Sequence, residues 1–257
     1  MGIINATPDS FFSASRFNGV DAVLGISEKM LSDGADILDI GGQSTRPGSD
    51  QISAEEEIER VVPSIEAIVK NFPQAFISVD TFYAKVAHAA VDAGASIVND
   101  VGAGRFDDKM IKTVAELKVP YVLMHMIGTP QNMQQHAVYE NVTREVLDFF
   151  IAKTNELKQA AIIDVIIDPG FGFAKTIEQN FELLKDLSVF KMLDKPILLG
   201  ISRKSTIYKT LGTTADEALN GSTVLNTIGL MNGASILRVH DVKEAKETVT
   251  LFSAMMK

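Results

Sequence analysis

The chain has 257 residues, 46% hydrophobic and 22% charged, with a formal net charge of −9 and no cysteine. That length suits one α/β barrel or two small domains, with apolar material for a sizeable core. The acidic balance speaks against non-specific nucleic-acid binding, and the missing cysteines exclude disulfides and thiolate metal sites.

Short runs rich in Ile and Val recur at residues 2–6, 35–40, 75–79, 96–98, 121–124, 165–167, 197–200 and 236–239. They are continuous rather than alternating, as parallel strands covered on both faces should be. Between them, residues 54–70, 84–93, 107–118, 141–160, 177–187 and 242–256 carry apolar side chains at helical spacing. Ser53 followed by Glu56 has the form of a capping box. Eight strand segments, each followed by a helical one, imply a parallel sheet. In a chain of this length the pattern predicts a closed TIM (β/α)8 barrel, one domain over residues 1–257. The start, Met1-Gly2-Ile3-Ile4-Asn5, has neither a basic segment nor a long apolar one, and no run reaches membrane-spanning length. A soluble protein of the reducing cytoplasm, with no nucleic-acid or membrane partner, is expected.

In such a barrel the active site lies at the C-terminal ends of the strands. Polar residues sit there after every strand: Asn5, then Gln43 to Arg46, Asp80-Thr81, Asn99-Asp100, His125, Asp168, Ser202-Arg203-Lys204 and Arg238-Val239-His240-Asp241. Each alone has an ordinary explanation. A single Asp after a strand is usually a turn former or cap. His125 reads as a satisfied polar residue, and His88 and His136 have no partners at ligand spacing. Asp33, Asp36 and Asp39 read as loop, cap and strand-end residues, and Met124, Met126 and Met133 as packing. Gly170-Phe171-Gly172-Phe173 is no dinucleotide fingerprint, because Lys175 stands where the third glycine belongs. The coincidence at every strand is what points to one mouth.

Asp80, Asn99 and Asp168 offer acceptors and an amide, with Lys204 as cationic donor; together they suit a flat heterocycle with adjacent N–H groups and a carbonyl. Asn5, Arg46, Arg238 and His240 suit a phosphate or pyrophosphate. Ser205 opens the helix after strand seven, a second place for an anion such as a carboxylate. The mouth therefore reads as a site for a pterin- or purine-like ring, a pyrophosphate and a second, carboxylate substrate.

The strand-end segments, taken in order, resemble those of the dihydropteroate synthase family over the whole chain. They are Asn5-Ala6-Thr7-Pro8-Asp9-Ser10-Phe11, residues 41–48, Ser78-Val79-Asp80-Thr81, Asn99-Asp100-Val101, His125-Met126-Ile127-Gly128-Thr129-Pro130, residues 168–173, Ser202-Arg203-Lys204 and Arg238-Val239-His240-Asp241. The resemblance implies condensation of 6-hydroxymethyl-7,8-dihydropterin pyrophosphate with 4-aminobenzoate in folate biosynthesis, by a homodimer. It assigns the pterin to Asp80, Asn99, Asp168 and Lys204, which with Arg238 form the catalytic set. Pyrophosphate falls to Asn5, Thr45, Arg46, Arg238 and His240, with Mg2+ at Asn5. Aminobenzoate falls to Pro47, Phe173, Lys204 and Ser205, and the loops at residues 7–13 and 45–48 are expected to close over the substrates.

Two positions depart from the family pattern: Gln43 replaces a common Glu, and Ser13 replaces an Asp. Relatives usually carry a short segment ahead of strand one, so Met1 is expected to be a trimmed or misassigned start. Two other readings share the pterin contacts: a pterin-binding methyltransferase domain, and a barrel that binds pterin without turnover. Neither needs the segments assigned to pyrophosphate and aminobenzoate.

Overall fold

The computed structural model of the protein describes residues 1–6, 16–43, 51–129 and 131–257. Strands β1 (Gly2–Asn5), β2 (Ile37–Gly41), β3 (Phe76–Asp80), β4 (Ile97–Asp100), β5 (Tyr121–Met124) and β6 (Val165–Asp168) pair in sequence order, all parallel. Strands β7 (Leu198–Leu199) and β8 (Ile236–Leu237) form a second parallel pair. Bridges Ile167–Ile197 and Gly2–Val239 join the two sheets and close the barrel. The seam is reinforced by the N–H of Ile3 donating to Val239 O at 3.0 Å and by the Met1 ammonium donating to Leu237 O at 2.9 Å.

Helices α1 (Arg16–Ser32), α2 (Ala54–Asn71), α3 (Ala84–Asp92), α4 (Met110–Leu117), α5 (Val142–Gln159), α6 (Ile177–Lys185), α7 (Ser205–Leu211), α8 (Leu219–Met231) and α9 (Val242–Met255) surround the strands. None among the described residues is long and apolar enough to cross a membrane.

Strand side chains alternate between two surroundings, as the pleat requires. Leu38, Ile40, Ile77, Val79, Val98, Leu123 and Ile167 belong to the main core beneath the helices. Residues of the other parity point into the barrel. There Ile97, Val122, Ile166 and Leu198 cluster with Met1, Ile37 and Ile236 and plug one end. Each such side chain buried contributes about 1.5–3 kcal/mol.

Two residues further along four alternate strands the inward face turns polar: Ile37 leads to Asp39, Ile97 to Asn99, Ile166 to Asp168 and Ile236 to Arg238. Barrels of this kind stack inward side chains in layers of four drawn from alternate strands. Here one layer is isoleucine and the next is Asp-Asn-Asp-Arg.

The predicted barrel is present, with local differences. Asp80, Asp100 and Asp168 are the last residues of their strands rather than the first beyond them, because the backbone still pairs there. Strands β7 and β8 are only two residues each, and two helices, α7 and α8, separate them. Ser53 caps α2 by accepting from the Glu56 N–H, but the Glu56 side chain pairs with Arg60 instead of returning to the cap. The reciprocal box belongs to α6, between Thr176 and Gln179.

Candidate active site

Asp39 is the first correction to the sequence reading. It is a mid-strand residue, wholly buried, and its carboxylate faces into the barrel rather than finishing a strand. Its Oδ2 accepts from Arg238 Nε at 2.6 Å and from Asn99 Nδ2 at 3.1 Å. Arg238 also donates from Nη2 to Asp80 Oδ2 at 2.6 Å. One guanidinium thus ties β8 to β2 and β3 across the barrel interior. Burial works against the Arg238 charge, but Asp39 and Asp80 more than offset it and hold the guanidinium ionised. Burial pushes the Asp80 carboxyl up, with Arg238 opposing and Asp39 reinforcing. The other oxygen, Asp80 Oδ1, is buried with no hydrogen-bond partner, as is the hydroxyl of Ser78 below it. Orphaned buried acceptors are rare, and one beside Asn99 invites an N–H donor from a ligand.

The opposite wall comes from β6 and β7. Asp168 Oδ1 accepts from the Gly170 N–H at 2.8 Å, which leaves Oδ2 for the interior. A Cβ built on Gly200 would lie 3.8 Å from both Asp168 Oδ2 and Lys204 Nζ, so glycine there leaves the space on which these two groups converge. Lys204 Nζ donates to Phe171 O at 2.5 Å and lies 4.6 Å from the Phe173 ring centroid. Burial lowers its pKa to about 8, with Asp168 opposing. Gly170 has φ +73°, and a Cβ there would fall 1.9 Å from His125 O; no other residue fits.

Behind this loop stands a residue the sequence reading passed over. Lys175 is buried, donates to Gly170 O and Phe173 O at 3.1 Å each, and sets Nζ 3.1 Å from His125 Nδ1. Burial brings it down to about 7. His125 is held neutral by burial and by Lys175, and its ring meets Phe149 edge-on at 4.9 Å. It is the satisfied core histidine expected. Met124, Met126 and Met133 pack with Phe82 and Val101 as expected too.

At the rim, Asn5 and His240 are exposed, and His240 Nδ1 is 3.2 Å from Ser202 Oγ. Crowding of the ring and the nearby Arg238 charge lower the His240 pKa, so it is neutral at pH 7. Ser205 is the first residue of α7, next to Lys204. Arg203 is structural: it grips Asp241 through Nε and Nη2 at 2.8 Å each and donates to the carbonyls of Ala215 and Asp216. Thr45, Arg46, Pro47 and the segment 7–13, with Ser13, lie outside the described residues. Gln43 is described: its Oε1 accepts from the Ile52 N–H at 2.9 Å, while Tyr83 donates to Ile52 O at 2.7 Å. An amide carbonyl suffices for that bond, so Gln43 leaves the base of the loop anchored.

Among the described residues no three His, Asp or Glu converge on a metal position. Asn5 contributes one hard oxygen, which fits Mg2+ only as a partner to substrate phosphate oxygens and water.

The sequence matches the family described as pterin binding enzyme over residues 1–240. It is 43% identical over 260 aligned residues to the dihydropteroate synthase of Streptococcus pyogenes, covering 100% of this chain and 95% of that protein. The Escherichia coli dihydropteroate synthase is 40% identical, with 100% and 91% covered. Yersinia pestis dihydropteroate synthase with a sulfonamide drug superposes with TM-score 0.94 at 38% identity, covering 100% of this chain and 93% of that one. The Xanthomonas albilineans enzyme in complex with 7,8-dihydropteroate gives TM-score 0.89 at 36% identity, with 100% and 92% covered.

Beneath the loop end of β3, the wholly buried Glu57 accepts from Thr81 Oγ1 at 3.1 Å, while its Oε1 has no partner. Burial raises its pKa from 4.5 to about 8, with Thr81 opposing. A carboxyl raised in the folded state lends stability that is complete below its unfolded pKa and lost as pH rises through its folded one. Glu57→Gln, neutral at every pH, should therefore stabilise the protein more at pH 8 than at pH 5, by roughly 3 kcal/mol, about 5–10 °C in Tm. Thermal unfolding at the two pH values checks this; equal shifts would mean that Glu57 is ionised when folded.

Proposed function

The chain belongs to the dihydropteroate synthase family of pterin-binding enzymes, and we propose on that footing how its own residues carry the reaction. It condenses 6-hydroxymethyl-7,8-dihydropterin pyrophosphate with 4-aminobenzoate, yielding 7,8-dihydropteroate and pyrophosphate in folate biosynthesis. The observation that supports the site best is the orphaned Asp80 Oδ1 beside Asn99 and Asp168 in the polar layer. The pterin edge carries adjacent N–H donors, and Asp80, Asn99 and Asp168 supply acceptors for them. Lys204 donates to the ring carbonyl or nitrogen from the opposite wall.

In the reaction the CH2–O bond breaks with its electron pair leaving on pyrophosphate, and the resulting methylene cation is delocalised into the pterin ring. The aminobenzoate nitrogen adds its lone pair to that carbon and then loses a proton. A neutral arylamine needs no strong base. Arg238 keeps Nη1 for the pyrophosphate after Nε and Nη2 are committed to Asp39 and Asp80. His240, Asn5, Thr45 and Arg46 complete the anion site, and charge placed where the leaving group develops is the largest catalytic contribution expected. Bound Mg2+, with Asn5 as a ligand, neutralises pyrophosphate charge. Phe173, Pro47, Lys204 and Ser205 form the aminobenzoate site, where a sulfonamide would compete. The loops at 7–13 and 45–48 exclude the water that would capture the cation.

We also propose a homodimer of the cytoplasm. Helix α8 is largely apolar, and Val224, Ile228 and Met231 are exposed at 48%, 38% and 61% along one helical face. Leu251 and Met255 of α9, which packs on α8, are exposed at 73% and 62%. Such a patch on a monomer marks an interface.

Pyrophosphate release from the pterin substrate should depend on 4-aminobenzoate, accompany dihydropteroate formation and fall without Mg2+. Tight pterin binding without release would favour a non-catalytic or methyl-transfer barrel. Ile228→Glu should convert a dimer of the wild-type mass to a monomer by sedimentation, and an unchanged mass would place the interface elsewhere.

A further inference from the structure

The inference concerns Asp39 and deepens the pterin reading of the mouth, on which it rests. An ionised carboxylate only accepts hydrogen bonds. Asp39 takes one from Arg238 Nε at 2.6 Å, and its two oxygens lie 3.1 and 3.4 Å from Asn99 Nδ2. The contact therefore decides which end of the Asn99 amide faces it. The nitrogen must, and Oδ1 is left on the opposite side of the amide. Asn99 is itself buried and on β4, with Asp80 paired opposite it in β3.

We propose that Asp39 is a positioning residue that locks the Asn99 amide with Oδ1 toward the heterocycle, and so sets the donor–acceptor pattern the pocket reads. Asp39 touches no ligand position itself. It acts through Asn99, and through Arg238, whose hold on Asp80 fixes which Asp80 oxygen stays free. The pocket then presents acceptors from β3, β4 and β6 to one edge of the ligand. A ring lacking adjacent N–H groups would leave these buried acceptors unpaired, which is the strong form of discrimination.

Exchange of the two residue types tests this. In Asp39→Asn the new amide keeps its oxygen on Arg238, which remains the stronger donor, and turns its NH2 toward Asn99. Asn99 must then rotate, offering its oxygen inward and its NH2 to the ligand. Binding of 6-hydroxymethyl-7,8-dihydropterin, measured by calorimetry at pH 8, should weaken about 10- to 100-fold. Asn99→Asp alone sets two carboxylates against each other and should also weaken binding at that pH. The double variant, Asp39→Asn with Asn99→Asp, restores a donor facing an acceptor and returns an acceptor to the ligand. It should bind within about 5-fold of the wild type, the non-additivity expected of contacting residues.

A wild-type-like affinity in Asp39→Asn, or a double variant as weak as the singles with an unchanged Tm, would overturn the positioning role. Loss of Tm in Asp39→Asn that the double variant does not recover would reduce Asp39 to a charge partner of Arg238 and overturn it too. A wild type that binds no pterin would instead bring down the reading of the mouth on which the role rests.

Discussion

Everything at the mouth depends on how a closed parallel barrel stacks its inward side chains. Alternate strands contribute to one layer, and a step of two residues moves to the next. In this chain the step carries β2, β4, β6 and β8 from isoleucine to Asp39, Asn99, Asp168 and Arg238. Three of those four are ionisable and lie where water has little access. Carboxylates buried this way survive only if paired, and removing one partner of such a pair costs about 3–5 kcal/mol. Arg238 supplies the pairing for Asp39 and Asp80 together. It joins the last strand to the second and third, so the charge that makes the site tolerable also braces the barrel across its seam.

The remaining features follow from keeping that layer accessible on one side only. Glycine at positions 41 and 200 removes bulk where a ring must enter, beside Asp80 and between Asp168 and Lys204. Glycine at 170 lets the β6 loop pass against the His125 carbonyl. Lys175 and His125 then clamp that loop from behind by hydrogen bonds to Gly170 and Phe173. Phe173 is placed over Lys204, and Lys204 beside Asp168, by the same short stretch of backbone. The pterin wall and the aminobenzoate wall are thus one mechanical unit.

Much of this is legible in the sequence, for stated reasons. Continuous apolar runs bury both strand faces and so reveal themselves, and polar residues at their ends mark the mouth. Asp80, Asn99, Asp168, Lys204 and Arg238 all line it. Asp39 is hidden because a lone Asp near a strand end has a commonplace role in turns. The repeated Ile-x-polar step, shared with Asn99, Asp168 and Arg238, is the signal that separates it from Asp33 and Asp36. Lys175 gives no such sign, since only the folded loop reveals that its ammonium is caged by two carbonyls and an imidazole. The two-residue strands β7 and β8 illustrate another limit: apolar runs mark burial, whereas ladder pairing depends on the bend each strand makes at the seam. Gln43, read as a departure, bonds a backbone N–H that either an amide or a carboxylate oxygen would satisfy.

The central claim is that the polar layer inside the barrel recognises the pterin ring. Calorimetric titration of Asp168→Ala with 6-hydroxymethyl-7,8-dihydropterin tests it most directly. Asp168 has one oxygen held by the Gly170 N–H and the other turned to the interior, so its loss should remove two ligand bonds and abolish measurable binding, on the order of 100-fold or more. Affinity retained within a few-fold, in a variant with native helix content, would contradict the claim and place the ring elsewhere on the molecule.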